Sequence, residues 1–276
     1  MLIREYRIPL PLTLDEYKIG QLFSVAELSR METKNGEGVE FLTNEPFSGH
    51  PLFDNRFDSG THTYKIYRLT SKFPSFIRLL FDGNTMDVHE ESWNAFPYCR
   101  TVVTNPGYMK NNFSIIVESM HENGRAENDN AHLLNPEELE KRTVVTVDIG
   151  NDPCTKCDYD KENDPSRFVS LKTERGPLKD DWISTVNPIM TCYKLVRAEF
   201  KWFGLQNRVE NYILDTEQKL FLRFHRYLFC WIDRWFGLDM DDICQMEEEI
   251  RVKLSIQMRN QRIVKNESLH GILSEI

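Results

Sequence analysis

The chain has no run of apolar residues that approaches the roughly 20 needed for a membrane-spanning helix. Its N-terminal segment carries Arg4, Glu5 and Arg7 without a long apolar core, so we expect no secretory signal peptide. Basic residues are in the minority, since 34 Lys and Arg stand against 43 Asp and Glu and give a net charge of -9. That balance excludes broad binding to nucleic acid, whose phosphates need a basic surface, and a polybasic membrane anchor.

Motifs of the common enzyme and metal classes are also missing. The sequence contains no G-x-S-x-G, no Walker loop, no G-x-G-x-x-G and no H-E-x-x-H. Cys154 and Cys157 form a lone C-x-x-C without a second ligand pair. A segment that starts like a calcium loop at Asp158 has Asn163 instead of Gly at its sixth position. The sequence therefore predicts neither an enzyme nor a metal site, and its six cysteines fit reduced cytosolic thiols.

What the sequence does contain is a period-two alternation in its first two thirds and helical periodicity in its last third. A capping box and helical spacing predict a helix over about 14–30, and residues 150–190 predict a long irregular excursion. A long helix is predicted over 205–236, and a second from Asp239 to about 260. Alternation and turn signals predict strands around 1–10, 38–46, 61–70, 86–91, 98–104, 113–120, 143–149 and 192–203. We infer one domain with a mostly antiparallel sheet and helices packed against it.

Several polar residues occupy positions where the alternation predicts apolar ones. Lys194 shares a strand face with Val196 and Ala198, and Lys65 shares one with Tyr67. Burying a lysine without a partner is costly, so each needs an anion or must reach solvent. Any single lysine fits an edge position that reaches outward. Together with Ser119 and Gln21, which sit in similar apolar patterns, the lysines favour an internal polar pocket for an anionic group.

Many segments resemble the phosphatidylinositol transfer proteins, in particular their small single-domain cytosolic class. They include "LDEYKIGQLFSVAE", "YKIYRL", "WNAFPYCRTVVTN", "NDPSRFVSLKTERGPL", "FKWFGLQNRVENYI" and "FHRYLFCWIDRW", in collinear order over roughly residues 1–260. The segment "SGHPLFDNRFDSG" looks longer than usual for the family, and the tail after about 260 departs from its pattern.

The resemblance implies an α+β fold similar to START domains, with a curved, mostly antiparallel β-sheet and long helices that enclose one lipid-binding cavity. It implies one lipid-transfer domain over 1–276, closed by a lid or tail from about 250. Such proteins carry one phosphatidylinositol or phosphatidylcholine between membranes and take part in phosphoinositide signalling. We expect a cytoplasmic monomer with transient membrane contact, no nucleic-acid partner and no cofactor apart from the bound phospholipid.

The resemblance also assigns residues to the lipid headgroup. By position, the inositol contacts fall on Thr63, Lys65, Asn94 and Glu247, and the phosphate contacts fall on Gln21, Thr101, Ser119 and Lys194. Ser119 stands where the family usually has threonine, which keeps the hydroxyl. Ser170 matches a proposed phosphorylation position, and Glu174 near it replaces a residue that is commonly glycine.

Two adjacent aromatic residues, Trp202 and Phe203, stand at the end of the last predicted strand. Continued alternation would place Trp202 on the apolar face of Phe200 and Phe203 on the polar face. The family carries two tryptophans at this point, in what resembles a membrane-docking tip. Interfacial aromatics suit a protein without a basic anchor, so we predict that the pair docks on membranes.

Three other functions remain open at this stage. The cavity could carry another lipid, such as a sphingolipid or a sterol, although a sterol has no phosphate for the lysines. The chain could be a lipid hydrolase with Glu247 and His121 as acid and base, but no nucleophile motif supports that. It could also be an adaptor that uses its charged C-terminal helix for protein contacts.

Overall fold

The computed structural model describes residues 1–32, 38–53, 55–68, 87–156, 159–250 and 252–253. The strands are β1 (Leu2–Leu10), β2 (Gly38–Leu52), β3 (Phe57–Arg68), β4 (Val88–Ala95), β5 (Tyr98–Thr104), β6 (Phe113–Asn123), β7 (Thr143–Thr146) and β8 (Met190–Phe200). The helices are α1 (Leu14–Glu32), α2 (Pro136–Lys141), α3 (Trp182–Thr185), α4 (Gln206–Cys230), α5 (Ile232–Trp235) and α6 (240–250). No helix within these ranges is long and apolar enough to cross a membrane.

The strands form one sheet in the order β2-β3-β4-β5-β6-β8-β1-β7. Only β1 and β7 pair in parallel, and every other neighbouring pair is antiparallel. The α+β prediction with a mostly antiparallel sheet is therefore confirmed. We call the sheet face that carries Tyr6 and Lys194, which lie opposite each other on β1 and β8, the inner face.

Helices α1 and α4 cover the inner face. The hydroxyl of Tyr6 donates to the carbonyl of Leu214 on α4 at 2.6 Å. From α1, the hydroxyl of the buried Tyr17 donates to Sγ of Cys192 on β8 at 3.7 Å. The main apolar core lies between these layers and includes Ile8, Leu10, Met190, Val196, Ile213, Leu228 and Trp235. The helices thus hold the inner face away from bulk solvent.

The outer face of β5, β6 and β8 is covered by the hairpin that joins β2 to β3. The segment that looked longer than usual in the sequence forms the far end of this hairpin. Its residues Leu52 and Phe57 pack on Tyr98, with the rings of Phe57 and Tyr98 5.7 Å apart. Met120 and Tyr193 belong to the same cluster. The extra residues therefore build a cover on the outside of the sheet.

A buried carboxylate, Glu5, ties the other part of the outer face to the segment after β6. Arg142 Nη1 and Arg7 Nε donate to it at 2.6 and 2.8 Å, and His132 Nδ1 lies 3.5 Å away. Burial alone would raise the pKa of Glu5, but hydrogen bonds from His132 and Arg7 and the charge of Arg142 lower it. Glu5 is therefore an ionised, fully paired structural group.

Several element boundaries differ from the sequence prediction: β2 extends to Leu52 instead of 46, β3 begins at Phe57 instead of 61, and β4 extends to Ala95 instead of 91. Strand β8 ends at Phe200 instead of 203, and the single long helix predicted over 205–236 is divided at Trp231. The division turns α5 so that Trp235 Nε1 donates to the carbonyl of Leu228 at 2.8 Å. Both segments bury apolar residues in the same core. Apolar residues therefore continue at helical spacing across the break, and the sequence gives no sign of it. The predicted second helix is present over α6, and its continuation to about 260 lies partly outside the described residues.

Acid should weaken the contact between α1 and α5 through Glu27. Hydrogen bonds from Arg30 and then Arg234 lower the pKa of Glu27 to about 2. Its unfolded pKa is near 4.5, so the stabilisation is complete above that value and is lost as the pH falls toward 2. Allowing for solvent screening of the partly exposed arginines, we expect a loss on the order of 1–2 kcal/mol in the free energy of unfolding.

Denaturant unfolding of the wild type and Glu27→Gln at pH 6, 4 and 3 measures this loss. The variant should be less stable at pH 6 and should approach the wild type at pH 3. Glu137→Gln is the control, because Glu137 pairs with Lys141 on the exposed surface of α2. If the free energy of unfolding of Glu27→Gln changed with pH in parallel with that of the wild type, Glu27 would not be the group that makes the contact sensitive to acid.

A candidate headgroup site on the inner face of the sheet

Six of the eight residues assigned to the headgroup lie on the inner face, because opposite residues in neighbouring strands point to the same side. They fall into three rows that run across the strands. The first row contains Asn94, Cys99, Ser119 and Lys194; the second contains Thr63, Ser92, Thr101 and Val117; the third contains Lys65, Glu90, Val103 and Ile115. The remaining two residues, Gln21 and Glu247, lie on α1 and α6.

Lys194 and Ser119 form the centre of the first row. Lys194 Nζ donates to Ser119 Oγ at 3.1 Å and lies 5.0 Å above the ring of Phe221 on α4. Ser119 is buried, whereas Lys194 keeps accessible surface. In the next row, Ser92 Oγ and Thr101 Oγ1 are 3.0 Å apart. This part of the face can offer an ammonium group and several hydroxyls to one anion.

Lys65 and Glu90 form the centre of the third row. Lys65 Nζ donates to Glu90 Oε1 at 3.2 Å, and the hydroxyl of Tyr67 donates to Glu90 Oε2 at 3.0 Å. Glu247 lies close enough for the charge of Lys65 to act on it, although burial raises the pKa of Glu247 overall. The sheet and α6 thus bring two carboxylates and a lysine together, a donor and acceptor set that suits a polyhydroxylated ring.

Thr63 and Asn94 lie beside this group and make fewer side-chain contacts than Lys65 and Glu90 do. Thr63 Oγ1 donates to Asn44 Oδ1 at 3.2 Å, and both Thr63 and Asn94 are partly exposed. Thr61 pairs with Asn94, and glycine is required at the preceding position, because a Cβ on Gly60 would lie 2.1 Å from the Asn94 carbonyl oxygen. The close approach of β3 to β4 at this glycine sets the position of the Asn94 backbone.

Gln21 lies one helical turn after Tyr17, on the same side of α1. Tyr17 contacts Cys192 and stacks on His121 with ring centroids 4.7 Å apart. That contact directs the side of α1 carrying Gln21 toward the inner face. Gln21 is partly exposed, and the described residues give its side chain no hydrogen bond.

Several side chains of the inner face are shielded from bulk water although they are not fully buried. Burial raises the pKa values of Tyr67, Cys99 and Glu217, yet all three side chains keep accessible surface. Desolvation of groups that retain accessible surface is the pattern expected for the lining of an internal cavity. Glu217 is sensitive to the charges of both Glu90 on β4 and Lys194 on β8. The sheet must therefore curve, since these strands are three spacings of about 4.8 Å apart in the ladder.

Sequence reasoning missed Glu90 and Glu217. The alternation in "VHEESWNA" puts Glu90 and Ser92 on the same face as Asn94, so the signal for Glu90 was present. Glu217 was hidden because a charged residue does not count toward an apolar stripe. The apolar spacing that predicts the helix over 205–236 passes instead through Leu220, which is 49% exposed and does not face the core. The inward side of α4 passes through Glu217 and Phe221.

The aromatic pair lies in the turn between β8 and α4. Phe203 is fully exposed, at 103% of its reference area. Trp202 is partly buried and stacks on Tyr108 and Phe200, each with ring centroids 6.4 Å apart. The expectation that the strand continues through both residues was wrong. Trp202 nevertheless packs beside Phe200, while Phe203 projects into solvent.

Ser170, assigned to a proposed phosphorylation position, is 1% exposed and is held by α5. Its Oγ donates to Asp233 Oδ1 at 2.5 Å, and the same carboxylate accepts the backbone N–H groups of Leu171 and Lys172. Glu174 has a φ of 58°, in the left-handed region that favours glycine. A kinase could reach Ser170 only if this loop opened.

His121, the base of the hydrolase alternative, is buried between aromatic rings. It stacks on Tyr17 and Phe96, and its Nδ1 lies 2.7 Å from the carbonyl oxygen of Pro97. Burial, with the charge of Lys194, lowers its pKa to about 3. It is therefore a weak base. The described residues also contain no cluster of His, Cys, Asp and Glu that could hold a metal.

Comparison with known proteins agrees with this geometry. The family model described as phosphatidylinositol transfer protein matches residues 1–252. Phosphatidylinositol transfer protein 1 of Dictyostelium discoideum is 44% identical over 271 residues, covering 96% of this chain and 100% of the relative. The human phosphatidylinositol transfer protein beta isoform is 43% identical over 274 residues, covering 97% of this chain and 98% of the relative. The chain therefore belongs to the phosphatidylinositol transfer protein family.

Proposed function

We propose that the protein transfers phosphatidylinositol and phosphatidylcholine between membranes, one molecule at a time, without covalent chemistry. The observation that carries the proposal is the set of polar rows on the inner face, together with side chains there that are shielded from bulk water but keep accessible surface. The relatives are named for phosphatidylinositol transfer, which supports the inositol lipid as one cargo. Phosphatidylcholine is the second cargo because it shares the phosphodiester and the acyl chains.

The phosphate is proposed to bind at the first two rows. Lys194 supplies the positive charge, and Ser119, Thr101 and Gln21 supply hydrogen-bond donors. These groups act on a part of the lipid that both cargoes have in common. They should therefore determine affinity for either lipid and contribute little to the choice between them.

The inositol ring is proposed to bind between β3, β4 and α6. Thr63, Lys65 and Asn94 can bond ring hydroxyls, and Glu247 can accept from them. Glu90 joins this set because it already accepts from Lys65 and Tyr67. A choline headgroup has no hydroxyls to satisfy these residues. This group should therefore favour the inositol lipid.

Enclosure of the lipid follows from the cost of exposing its chains to water. At about 0.8 kcal/mol per methylene, two long acyl chains would cost more than ~20 kcal/mol. A carrier that matches the bilayer interior removes this cost and lowers the barrier to exchange. The lipid is then the only ligand required, and the protein acts as a monomer in the cytoplasm that meets membranes transiently through Trp202 and Phe203.

Mass spectrometry of lipids that co-purify with the protein tests this function. We expect phosphatidylinositol and phosphatidylcholine at a combined ratio near one lipid per chain. Denatured protein from the same preparation, washed free of lipid, provides the background. An empty cavity, or a sterol or sphingolipid as the main ligand, would overturn the proposal.

A further inference from the structure

The side of α4 that faces away from the candidate headgroup site borders a separate cavity of about 70 Å³. One wall consists of described residues of the segment 153–164, between β7 and β8. The other wall consists of five residues of the helix: Lys219, Leu222, Arg223, Arg226 and Tyr227. Helical spacing places the three cations among them opposite Phe221, whose ring contacts Lys194 on the inner face. The cavity therefore lies outside the layer between the sheet and α4.

Arg226 brings a buried positive charge to the cavity wall, because this residue is only 8% exposed. Its Nε donates to the carbonyl of Ile149 at 2.8 Å, and its Nη2 donates to the carbonyl of Asp152 at 2.6 Å. Its Nη1 has no hydrogen bond within the described part of the chain. A guanidinium stays charged in a protein, and a buried donor without an acceptor is costly. Nη1 is therefore available to an acceptor inside the cavity.

Two further cations lie on the same wall. Lys219 is exposed, and no carboxylate among the residues that the structure describes pairs with it. The guanidinium of Arg223 lies 5.4 Å above the ring of Tyr227. The whole chain has a net charge of -9, so three cations on one wall are a local departure from its overall charge. A concave surface with such a set attracts anions.

The two carboxylates on the facing wall, Asp160 and Asp164, already accept hydrogen bonds from their own segment. Asp160 accepts from the backbone N–H of Glu162 at 3.0 Å and from Nδ2 of Asn163 at 2.7 Å. Asp164 accepts from the hydroxyl of Tyr159 at 2.9 Å. Among the described lining residues, three cations against two carboxylates leave one positive charge in excess.

We propose that this cavity binds a small oxyanion, a carboxylate or a phosphate monoester, carried on a short apolar stem. The anionic group accepts from Nη1 of Arg226 and is attracted by Lys219. The stem packs on Leu222 and on the ring of Tyr227, which are 8% and 7% exposed. A cavity of about 150 Å³ takes one benzene molecule, so this smaller one has room for a group of a few heavy atoms. The site is independent of the proposed lipid transfer.

A titration with three small probes tests the site directly. Butyrate, ethyl phosphate and the neutral butyramide are added to isotope-labelled protein, and the amide resonances are followed by NMR. We expect both anions to shift the resonances of Cys154, Thr155 and the 222–227 segment, and to bind at least about tenfold more tightly than butyramide. Whichever anion binds more tightly identifies the oxyanion that the site prefers.

Three variants separate this cavity from general charge effects. Lys219→Gln should weaken binding of both anions about threefold without a change in melting temperature, because this lysine is exposed. Cys154→Phe keeps every charge and adds a ring to the cavity wall, so it should abolish binding. Lys141→Gln removes an exposed lysine of α2 and should change nothing.

The proposal would be overturned by equal affinity for butyrate and butyramide, or by wild-type affinity in Lys219→Gln. Shifts at Ser119 and Lys194 in place of those around the cavity would also overturn it, because the anions would then bind at the candidate headgroup site. If Cys154→Phe does not fold, the comparison with butyramide and the Lys219→Gln variant decide the question. Transfer of labelled phospholipid between vesicles is measured separately, so its absence would contradict the proposed function and leave the anion titration valid.

Discussion

Replacing Lys65 with alanine should lower phosphatidylinositol transfer at least about tenfold and leave phosphatidylcholine transfer within about twofold. Hydrogen bonds to charged groups are worth about 1.5–3 kcal/mol, and their loss affects only the lipid that has ring hydroxyls. Lys65 is 8% exposed and its ammonium group lies 3.2 Å from Glu90. The proposed phosphate site at Lys194 and Ser119 lies in another row and should stay intact.

The Lys65 measurement needs controls because the substitution also leaves Glu90 without its partner. Thr63→Ala removes a neighbouring hydroxyl without exposing a charge, and it should reproduce the selective loss. Lys194→Ala should reduce transfer of both lipids. Lys141→Ala removes an exposed lysine of α2 and should change neither. Transfer of each labelled lipid to acceptor vesicles supplies the rates, and equal losses of both lipids in Lys65→Ala and Thr63→Ala would contradict the division of the site.

The second large effect is expected at the exposed turn between β8 and α4. The double variant Trp202→Ala/Phe203→Ala should hold lipid in solution but transfer it at least about tenfold more slowly, because each aromatic side chain contributes about 1.5–3 kcal/mol when it leaves water. Phe203 has no packing role, since it is fully exposed. Phe203→Ala alone should therefore lower transfer with no change in melting temperature. Trp202→Ala should also cost some stability, because Trp202 stacks on Tyr108 and Phe200.

Vesicle sedimentation, together with transfer rates, separates docking from lipid binding. The double variant and Phe203→Ala should both retain co-purified lipid, and both should bind less than the wild type to vesicles of phosphatidylcholine. Leu139→Ala changes an exposed apolar residue on α2, away from this turn, and serves as the control. Unchanged transfer in the double variant would contradict a membrane-docking role for Trp202 and Phe203.

Much of the fold followed from periodicity because one side of most of the longer elements is buried. The predicted strand positions near β1, β5 and β6 agree with the structure, and α1 begins at Leu14 as the capping box predicts. The break at Trp231 could not be predicted, because apolar residues continue at helical spacing on both sides of it. The end of β8 was missed for a similar reason: Trp202 packs beside Phe200 although it is no longer in the strand.

The site was visible in the sequence only where a polar residue interrupted an apolar face. Lys65, Ser119, Lys194 and Gln21 were identified in that way. Thr63, Thr101 and Asn94 are too ordinary in a strand to be noticed, and the resemblance alone pointed to them. Glu217 escaped both approaches. Its position depends on how far the sheet curves toward α4, which no local pattern records.

The two faces of the sheet at strand β3 have separate roles, since one carries candidate headgroup residues and the other packs against the outer cluster. This separation allows a label to be placed away from the candidate site. Thr63 and Lys65 point inward, whereas the hairpin that leads into β3 packs on the outer cluster around Tyr98. Asn55, in the turn of that hairpin, is exposed and adopts a φ of 61°. A fluorescent label attached there through an Asn55→Cys substitution would lie on the opposite side of the sheet from the proposed lipid site. Such a reporter could follow the protein onto and off a bilayer without competing for the cavity.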